Sequence, residues 1–520
     1  MYKYPSPLAE GDIYTEGNNL MLLKPQTEDF KIIGFYIGQL IIGIGLVMFV
    51  PIITGLIFKE INPVLNFIIS AAICFTAGYV LMLICFTKKE LNWMQGMIVV
   101  SLSWGIAAFF GALPFYISGH WLSFIDAYFD AMSGFATTGM ALVQDLDHLS
   151  LTCNMWRHFI MYVGGQGIVV VGLIFLLKGV SSSFKMYVGE AREEQVLPNV
   201  IATARFIWLV SIVYLVLGSL ALTLVLLFSG LPLSKAILEG IWIFMAAFDT
   251  GGFTPYSQSI MYYHSFLFEI VTMFIMIIGA MNFRLHYCLW SGNKREIWRN
   301  IETITFLISM AILFTIIIYD LKRYNIYPEM IALFRKGCYQ LVSAHTGTGY
   351  MTIYPVEFAG KWGELALFAI IVAMSIGGGI CSTTGAIKTY RIGILFKALI
   401  FDVKKLILPE SAVVIQKIHH IKDTILEPKH IHAAAMIFIS FICLYLFGAV
   451  VGMICGYPFL AALFESVSAA ANVGLSCGIT TPAMPVLLKF TYIVQMWAGR
   501  LEFMAIFALI GFIISLLRGE

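Results

Sequence analysis

Charge is scarce in this 520-residue chain: 12% of its residues are Asp, Glu, Lys or Arg, against 60% apolar ones. That balance excludes a large soluble domain, and the mean hydropathy of +0.87 suits repeated crossings of a hydrocarbon core about 30 Å thick. The net charge of +2 says little by itself, since in a membrane protein the distribution of Lys and Arg among loops matters more than the sum, and no nucleic-acid footprint is visible. The nine cysteines form no C-x-x-C pair and lie mostly inside apolar runs, which argues against a zinc site or a disulfide framework and leaves them as small hydrophobes. A haem-type His pair, a nucleophile motif and a carboxylate dyad are all missing, which argues against an enzyme. Residues 1–30 also lack the basic start and apolar core of a signal peptide. They carry Glu10, Asp12, Glu16, Asp29, Pro5, Pro7 and Pro25, and read as a cytosolic tail.

What is present is a series of ten apolar runs long enough to span: 32–58, 64–86, 93–117, 156–177, 206–228, 266–289, 303–319, 365–399, 431–455 and 486–517. Between the members of the last four pairs lie shorter stretches, 124–139, 234–252, 328–349 and 457–474, too polar to cross and each ending in Gly. Such segments enter a membrane partway where their backbone lines a water-filled cavity. The chain therefore predicts an all-α integral membrane protein, with two leading transmembrane helices and four pseudo-symmetric helix–pore loop–helix repeats around one central pore. The expected division is a tail over 1–30, leading helices over 31–92, and repeats over 93–178, 179–292 and 293–400. A cytosolic linker and the fourth repeat fill 401–520.

The four Gly-ending stretches carry Thr137, Thr138 and Gly139; Thr250, Gly251 and Gly252; Thr348 and Gly349; and Asn472, Val473 and Gly474. Four turns of exposed backbone carbonyl are what a hydrated cation needs to shed water without losing oxygen ligands. Gly139, Gly252, Gly349 and Gly474 suit the role because glycine places no side chain between carbonyl and ion. The competing reading makes each an ordinary loop or helix-packing glycine, an explanation that weakens when four stand in register. Asp126, Asp130, Glu239 and Glu465, earlier in the same stretches, read as caps of the short helices, the alternative being attraction of cations at the outer mouth. Asp249 and His345 beside two turns are departures with no assigned role, either of which would alter selectivity or add pH dependence.

Loop charge gives an orientation. Lys88, Lys89, Lys178, Lys185, Arg192, Arg205, Lys294, Arg295, Arg299 and the cations from Lys388 to Lys429 gather on one side, which the positive-inside rule makes cytosolic together with both termini. Lys322, Arg323, Arg335, Lys336 and Lys361 fall on the other side and fit less well. The basic stretch 390–429, with His419, His420, His430 and His432, reads as a solvated loop that either docks a partner or faces lipid headgroups. The run 365–399 would be about 52 Å long as a continuous helix, so it must break, tilt or run on; the break belongs at Gly377, Gly378, Gly379, Ser382, Thr383, Thr384 and Gly385, where helix propensity collapses.

The segments SGFATTGM, WRHFIMYVGGQGIVVVGL, FDTGGFTP, SIGGGICSTTGAIKTYRI, SAAANVGLSCGIT and GRLEF resemble, in order, the membrane subunit of the Trk/Ktr/HKT superfamily of potassium transporters, and the two leading helices make the chain most similar to its Trk (TrkH/TrkG-like) branch. The resemblance implies K+ as the transported ion, bound at filter backbone carbonyls, with no covalent cofactor. It implies a homodimer with one pore per protomer, a cytosolic TrkA-like ring of nucleotide-binding regulatory subunits, and a bacterial or archaeal plasma membrane. Gly at the first filter position, Gly139, goes with potassium rather than sodium in that superfamily. The glycine-rich break would be an intramembrane gate loop under the filter, the alternative being a passive kink. Arg500 would stand in the pore beside it; otherwise it pairs with Glu502 or a carbonyl, because an Arg inside an apolar run needs a partner or a cavity. Lys388 would snorkel at the inner membrane edge. A sodium- or proton-coupled secondary transporter is the alternative function, and it would need carboxylate pairs deep in helices that are almost free of Asp and Glu.

Overall fold

The computed structural model describes residues 25–167, 186, 200–409 and 415–518. Most of the expected tail, the far end of the 156–177 run, the 178/179 boundary and Lys178, Lys185 and Arg192 lie outside these residues. Among the described residues, six of the ten expected runs are helical spans long and apolar enough to cross a membrane: Thr27–Ile57, Ile61–Ile84, Trp93–Ile117, Ala202–Phe228, Ile301–Arg323 and Pro428–Ile454. Two more are bent pairs, folded by 101° between Phe266–Ala280 and Phe283–Trp290 and by 113° between Val486–Arg500 and Met504–Arg518. The 365–399 run is broken into Glu364–Ser375 and Thr389–Ile407, so its second helix runs past the expected unit boundary at 400.

The leading pair is α1 (Thr27–Val47) with its continuation α2 (Phe49–Ile57), and α3 (Ile61–Ile84). Glu60, in the turn between them, accepts hydrogen bonds from Leu151 N and Thr152 N (both 2.9 Å) and Thr152 Oγ1 (2.6 Å). A carboxylate at the positive end of a helix joins the pair to the first repeat.

That repeat is α4 (Trp93–Ile117), the short α5 (Phe124–Phe135) and α6 (Leu151–Gln166). Asn92 and Gln95 start α4 with a reciprocal capping box, and Ser123 and Ser150 cap α5 and α6. The second repeat is α7 (Val200–Phe228), α8 (Leu233–Phe248) and α9 (Phe266–Ala280), which bends into α10 (Phe283–Trp290). After the one-turn α11 (Glu296–Arg299), the third comprises α12 (Ile301–Arg323), α13 (Met330–His345), α14 (Pro355–Lys361), α15 (Glu364–Ser375) and α16 (Thr389–Ile407). A two-stranded hairpin, β1 (Lys417–His420) antiparallel to β2 (Lys422–Ile425), precedes the fourth: α17 (Pro428–Ile454), α18 (Phe459–Ala470), α19 (Val486–Arg500) and α20 (Met504–Arg518). The helices α5, α8, α13 and α18 have 12 to 16 residues, hence roughly 18–24 Å, and end inside the bundle.

The hairpin corrects the expectation of a solvated loop for His419 and His420. His420 is buried against the Tyr390 ring (4.8 Å between centroids), and His419 lies 2.6 Å from Asp423 and 3.2 Å from Glu296. The cations that fit the orientation poorly are partly neutralised: Arg335 makes a two-pronged pair with Glu269 (2.5 and 2.6 Å), and Lys361 pairs with Glu357 (2.6 Å).

Candidate functional site

Each short helix ends in the same hydrogen-bonded stop. Thr137 N donates to Gly134 O (3.0 Å) and Thr138 N to Ser133 O (2.8 Å); Thr250 N donates to Ala247 O (3.2 Å) and Gly251 N to Ala246 O (2.9 Å). In the third repeat Gly347 N and Thr348 N reach Ala344 O (3.1 Å) and Ser343 O (2.9 Å), and in the fourth Asn472 N and Val473 N reach Ala469 O (3.2 Å) and Ser468 O (2.9 Å). Nested bonds of this kind need a left-handed residue at the corner, and Thr137, Thr250, Gly347 and Asn472 have φ of 55°, 51°, 73° and 56°.

Two residues beyond each corner stands a glycine with positive φ: Gly139 (89°), Gly252 (70°), Gly349 (82°) and Gly474 (90°). A Cβ built on Gly139 would lie 2.1 Å from Gly251 O, and one on Gly252, Gly349 or Gly474 would lie 2.0 Å from Thr348 O, Val473 O or Thr138 O. The sequence of neighbours closes on itself: first repeat to second, second to third, third to fourth, fourth back to first. Four backbone turns from four distant parts of the chain therefore form one ring, so tight that any side chain at these positions would strike the carbonyl of the next turn. Within the turns, Thr137, Thr138, Thr250, Gly251, Thr348, Asn472 and Val473 are buried, whereas all four glycines are partly accessible. The ring thus borders an open space. Asn472 ties fourth turn to first, its Nδ2 donating to Thr138 Oγ1 (3.1 Å) and to Met496 O (2.9 Å).

Residues 377–388 pack against turns of the second, third and fourth repeats and are buried throughout. Gly377 N donates to Ile387 O (2.9 Å), which pins the two ends of the loop together, and Gly378 N and Ser382 Oγ contact Thr384 Oγ1 at 3.0 and 2.8 Å. Thr383 Oγ1 lies 3.0 Å from both Phe248 O and Gly279 O and 3.2 Å from Thr250 Oγ1, in the second repeat. Gly385 packs so closely on Ala471 O that a Cβ there would lie 2.5 Å away, in the fourth, and the Thr384 side chain faces Gly347 of the third. Gly379 N donates to Ala280 O (3.0 Å) and Ile380 N to Glu302 Oε1 (2.6 Å).

Arg500, the last residue of α19, packs against the same loop. Its guanidinium donates to Thr383 O (2.6 Å), Gly164 O (2.7 Å) and Gly165 O (3.3 Å), and to Thr137 Oγ1 (3.3 Å) of the first turn. Glu502 is held by Arg391 and, at 3.6 Å, by Lys388. Lys388 is 3% exposed and donates to Thr384 O and to Thr384 Oγ1 (3.2 Å), which corrects the expectation of a snorkelling lysine: its ammonium is held inside by the loop and by Glu502.

The acidic residues of the short helices do something other than capping. Asp130 accepts from Leu142 N (2.6 Å) and Trp121 Nε1 (2.8 Å), and Glu465 from Ser476 Oγ (2.5 Å), Cys477 N (2.9 Å), Thr480 Oγ1 (2.7 Å) and Ile479 N (3.2 Å). Glu239 accepts from Tyr256 Oη (2.7 Å). They staple the segment that leaves the first, second and fourth turns to the helix that enters it, a role invisible from local sequence because those partners lie 11 to 17 positions onward in the folded return. Asp126 does sit in the first turn of α5, where Ser123 caps it, but its carboxylate takes Lys489 (2.5 Å) from α19.

The departures beside the turns are also held by neighbours. Asp249 accepts from Gln166 Nε2 (2.7 Å), whose Oε1 accepts from Ser211 (2.7 Å), and His345 Nε2 lies 2.6 Å from Ser309 Oγ in α12. Sequence reasoning missed Gly164, Gly279 and Gly499, where a Cβ would lie within 1.9 Å of Phe135 O, Phe248 O and Ala470 O, the last carbonyls of the short helices. Gly164 and Gly499 stand at the same offset from their ring glycines, a signal that was there to be read.

A family model described as TrkH, cation transport protein, matches residues 64–515. The chain is 33% identical over 483 residues to an uncharacterized cation transporter of Methanocaldococcus jannaschii, covering 93% of this chain and 95% of that one. It is 26% identical over 428 residues to the Trk system potassium uptake protein TrkH of Salmonella typhimurium, covering 80% and 84%, and 26% identical over 496 residues to Trk system potassium uptake protein TrkG of Escherichia coli, covering 92% and 96%. The crystal structure of the potassium transporter TrkH from Vibrio parahaemolyticus shares the fold, with a TM-score of 0.78 at 23% identity over 92% of this chain and 98% of that one.

Proposed function

Since the chain belongs to the TrkH family of cation transport proteins, we propose that it takes up potassium across the plasma membrane through the ring of four glycines, driven by voltage. The observation that carries this reading is the closed cycle Gly139, Gly252, Gly349, Gly474, whose members alone among the turn residues reach an open surface. Carbonyls of Thr138, Gly251, Thr348 and Val473 stand in for the water a potassium ion sheds. The C-terminal ends of α5, α8, α13 and α18 lead into the ring, so their partial negative charge favours a cation there. One elementary charge moving through the field gains about 2.3 kcal/mol per 100 mV.

The loop 377–388 is the gate in this proposal, and Arg500 locks it: a cation leaving the ring meets buried backbone and a guanidinium. The partners of Thr383 and Arg500 in separate repeats support that reading, because movement of the loop breaks contacts to several turns at once. The termini and the basic 388–429 segment face the cytosol, where a nucleotide-binding regulatory ring docks, and two protomers pair with one pore each. The six-part division of the chain belongs to the same reading.

The test is rubidium uptake into proteoliposomes of the full chain at clamped voltage, with and without sodium. Uptake that follows voltage and needs no sodium supports the proposal. Uptake that requires a sodium or proton gradient assigns coupled transport instead, and absence of uptake refutes conduction by this chain.

A further inference from the structure

On the side of the gate loop, a cavity of about 320 Å³ opens between the bend of α9 into α10 and the first turns of α12. Its size is that of a small-molecule pocket, and its walls are overwhelmingly apolar, among them Leu285, Phe306, Leu307 and Met310. Among its polar lining are Glu302 and Thr389, with Gly379 beside them. Those three are also the fastenings of the loop: Glu302 accepts from Ile380 N, Gly379 N donates to Ala280 O, and Thr389 Oγ1 donates to Gly378 O (3.1 Å).

Two observations say what enters. The mouth lies on the face of α12 that carries the exposed Ile304, Leu307, Ile308 and Ile312, a membrane-spanning helix whose uncovered surface meets acyl chains. Beside it, Lys294, Arg295 and Arg299 are exposed and flank Trp298, which is 72% exposed. The acid among them, Glu296, is buried and taken by His419 and Ile421 N. An indole and a basic cluster at the first turn of a span form the interfacial pattern that holds an anionic headgroup.

We propose that this cavity binds one acyl chain of an anionic phospholipid, its phosphate held by Arg295 and Arg299, and that the bound chain steadies the fastened end of the loop. The binding site stands on its own; its effect on conduction rests on the proposed gate.

The full-length protein in phosphatidylcholine vesicles is irradiated with phosphatidylglycerol, or with phosphatidylcholine, carrying a diazirine at the end of one acyl chain, and the labelled peptides are mapped by mass spectrometry. The anionic probe labels the segments around Leu285 and Leu307 more strongly than the neutral one, by about fivefold for each basic residue engaged. Unlabelled phosphatidylglycerol competes the signal away. Arg295→Gln with Arg299→Gln removes the preference, and Met310→Trp, which narrows the cavity, weakens the label there while that on α3 persists. Equal labelling by both probes, failure of competition on the unsubstituted protein, or a Leu307→Cys variant that links two copies in place of lipid labelling would overturn the site. Labelling needs no ion flux, so it remains decisive for a chain that conducts nothing. Rubidium uptake that is the same in both lipids would overturn the coupling to the gate.

Discussion

Replacing Gly139 with Ser separates the ring from an ordinary turn more cleanly than any other change. At a φ of 89° an L-residue is strained by about 1–2 kcal/mol, and Gly119, with a φ of 76° in the loop before α5, carries the same kind of strain. The surroundings differ: a Cβ on Gly139 lies 2.1 Å from Gly251 O, whereas nothing lies within 4 Å of one on Gly119. The carbonyl that the new Cβ meets belongs to backbone, so relief requires the two turns to separate by roughly 1.3 Å or more before carbon and oxygen reach ordinary contact. One of four carbonyls then leaves the ring. Taking that ion contact at the roughly 1.5–3 kcal/mol of a hydrogen bond to a charge, and giving half of it to the potassium–sodium difference, selectivity falls on the order of tenfold. Rubidium uptake by proteoliposomes with increasing competing sodium measures this directly. Gly139→Ser loses discrimination together with more thermal stability, and Gly119→Ser keeps discrimination at the smaller cost of its backbone strain alone. An unchanged ratio in the first, or an equal shift in the second, would refute the ring as the selective element.

Arg500→Ala removes donors to Thr383, Gly164 and Thr137 and is expected to raise rubidium flux several-fold at fixed voltage, a result absent if the guanidinium only braces the fold. Thr383→Ala, which gives up contacts to Phe248 O, Gly279 O and Thr250, should raise flux in the same direction with selectivity unchanged, read in the same assay. Lys489→Met leaves the Asp126 carboxylate buried without its partner, at a cost of about 3–5 kcal/mol, so detergent-solubilised protein should melt well below the parent, with partial recovery in Lys489→Met with Asp126→Leu. Glu465→Leu strips the segment 476–480 of its acceptor, and the expected outcome is faster proteolysis there and loss of uptake while α1 to α6 stay protected.

Much of the architecture was legible because a bilayer imposes one rule on every spanning segment. Uncharged runs such as 93–117 announce themselves, and the helix there has those bounds. The turns were legible for a different reason: a Gly after a short polar stretch, four times over, is a backbone requirement written into sequence. The bends were not. At Met281 and Asn282 there is neither Gly nor Pro; the chain turns because Asn282 caps α10 through Arg284 N (2.8 Å) and also reaches Glu302. At Glu502 and Phe503, φ is 47° and 72°, held by the distant Arg391 on Glu502. Buried polar groups were misread for the same cause. Glu465, Lys388 and His420 find partners only after folding, so a local reading made them a cap, a snorkelling cation and a solvated ring.

The central claim is that backbone oxygens of four turns hold the ion. Crystals of the protein soaked in rubidium, measured at the rubidium absorption edge, test it without reference to flux. Anomalous density on the line enclosed by Thr138 O, Gly251 O, Thr348 O and Val473 O is the predicted result. Density confined to surface carboxylates, with the ring empty in crystals of conducting protein, would contradict it.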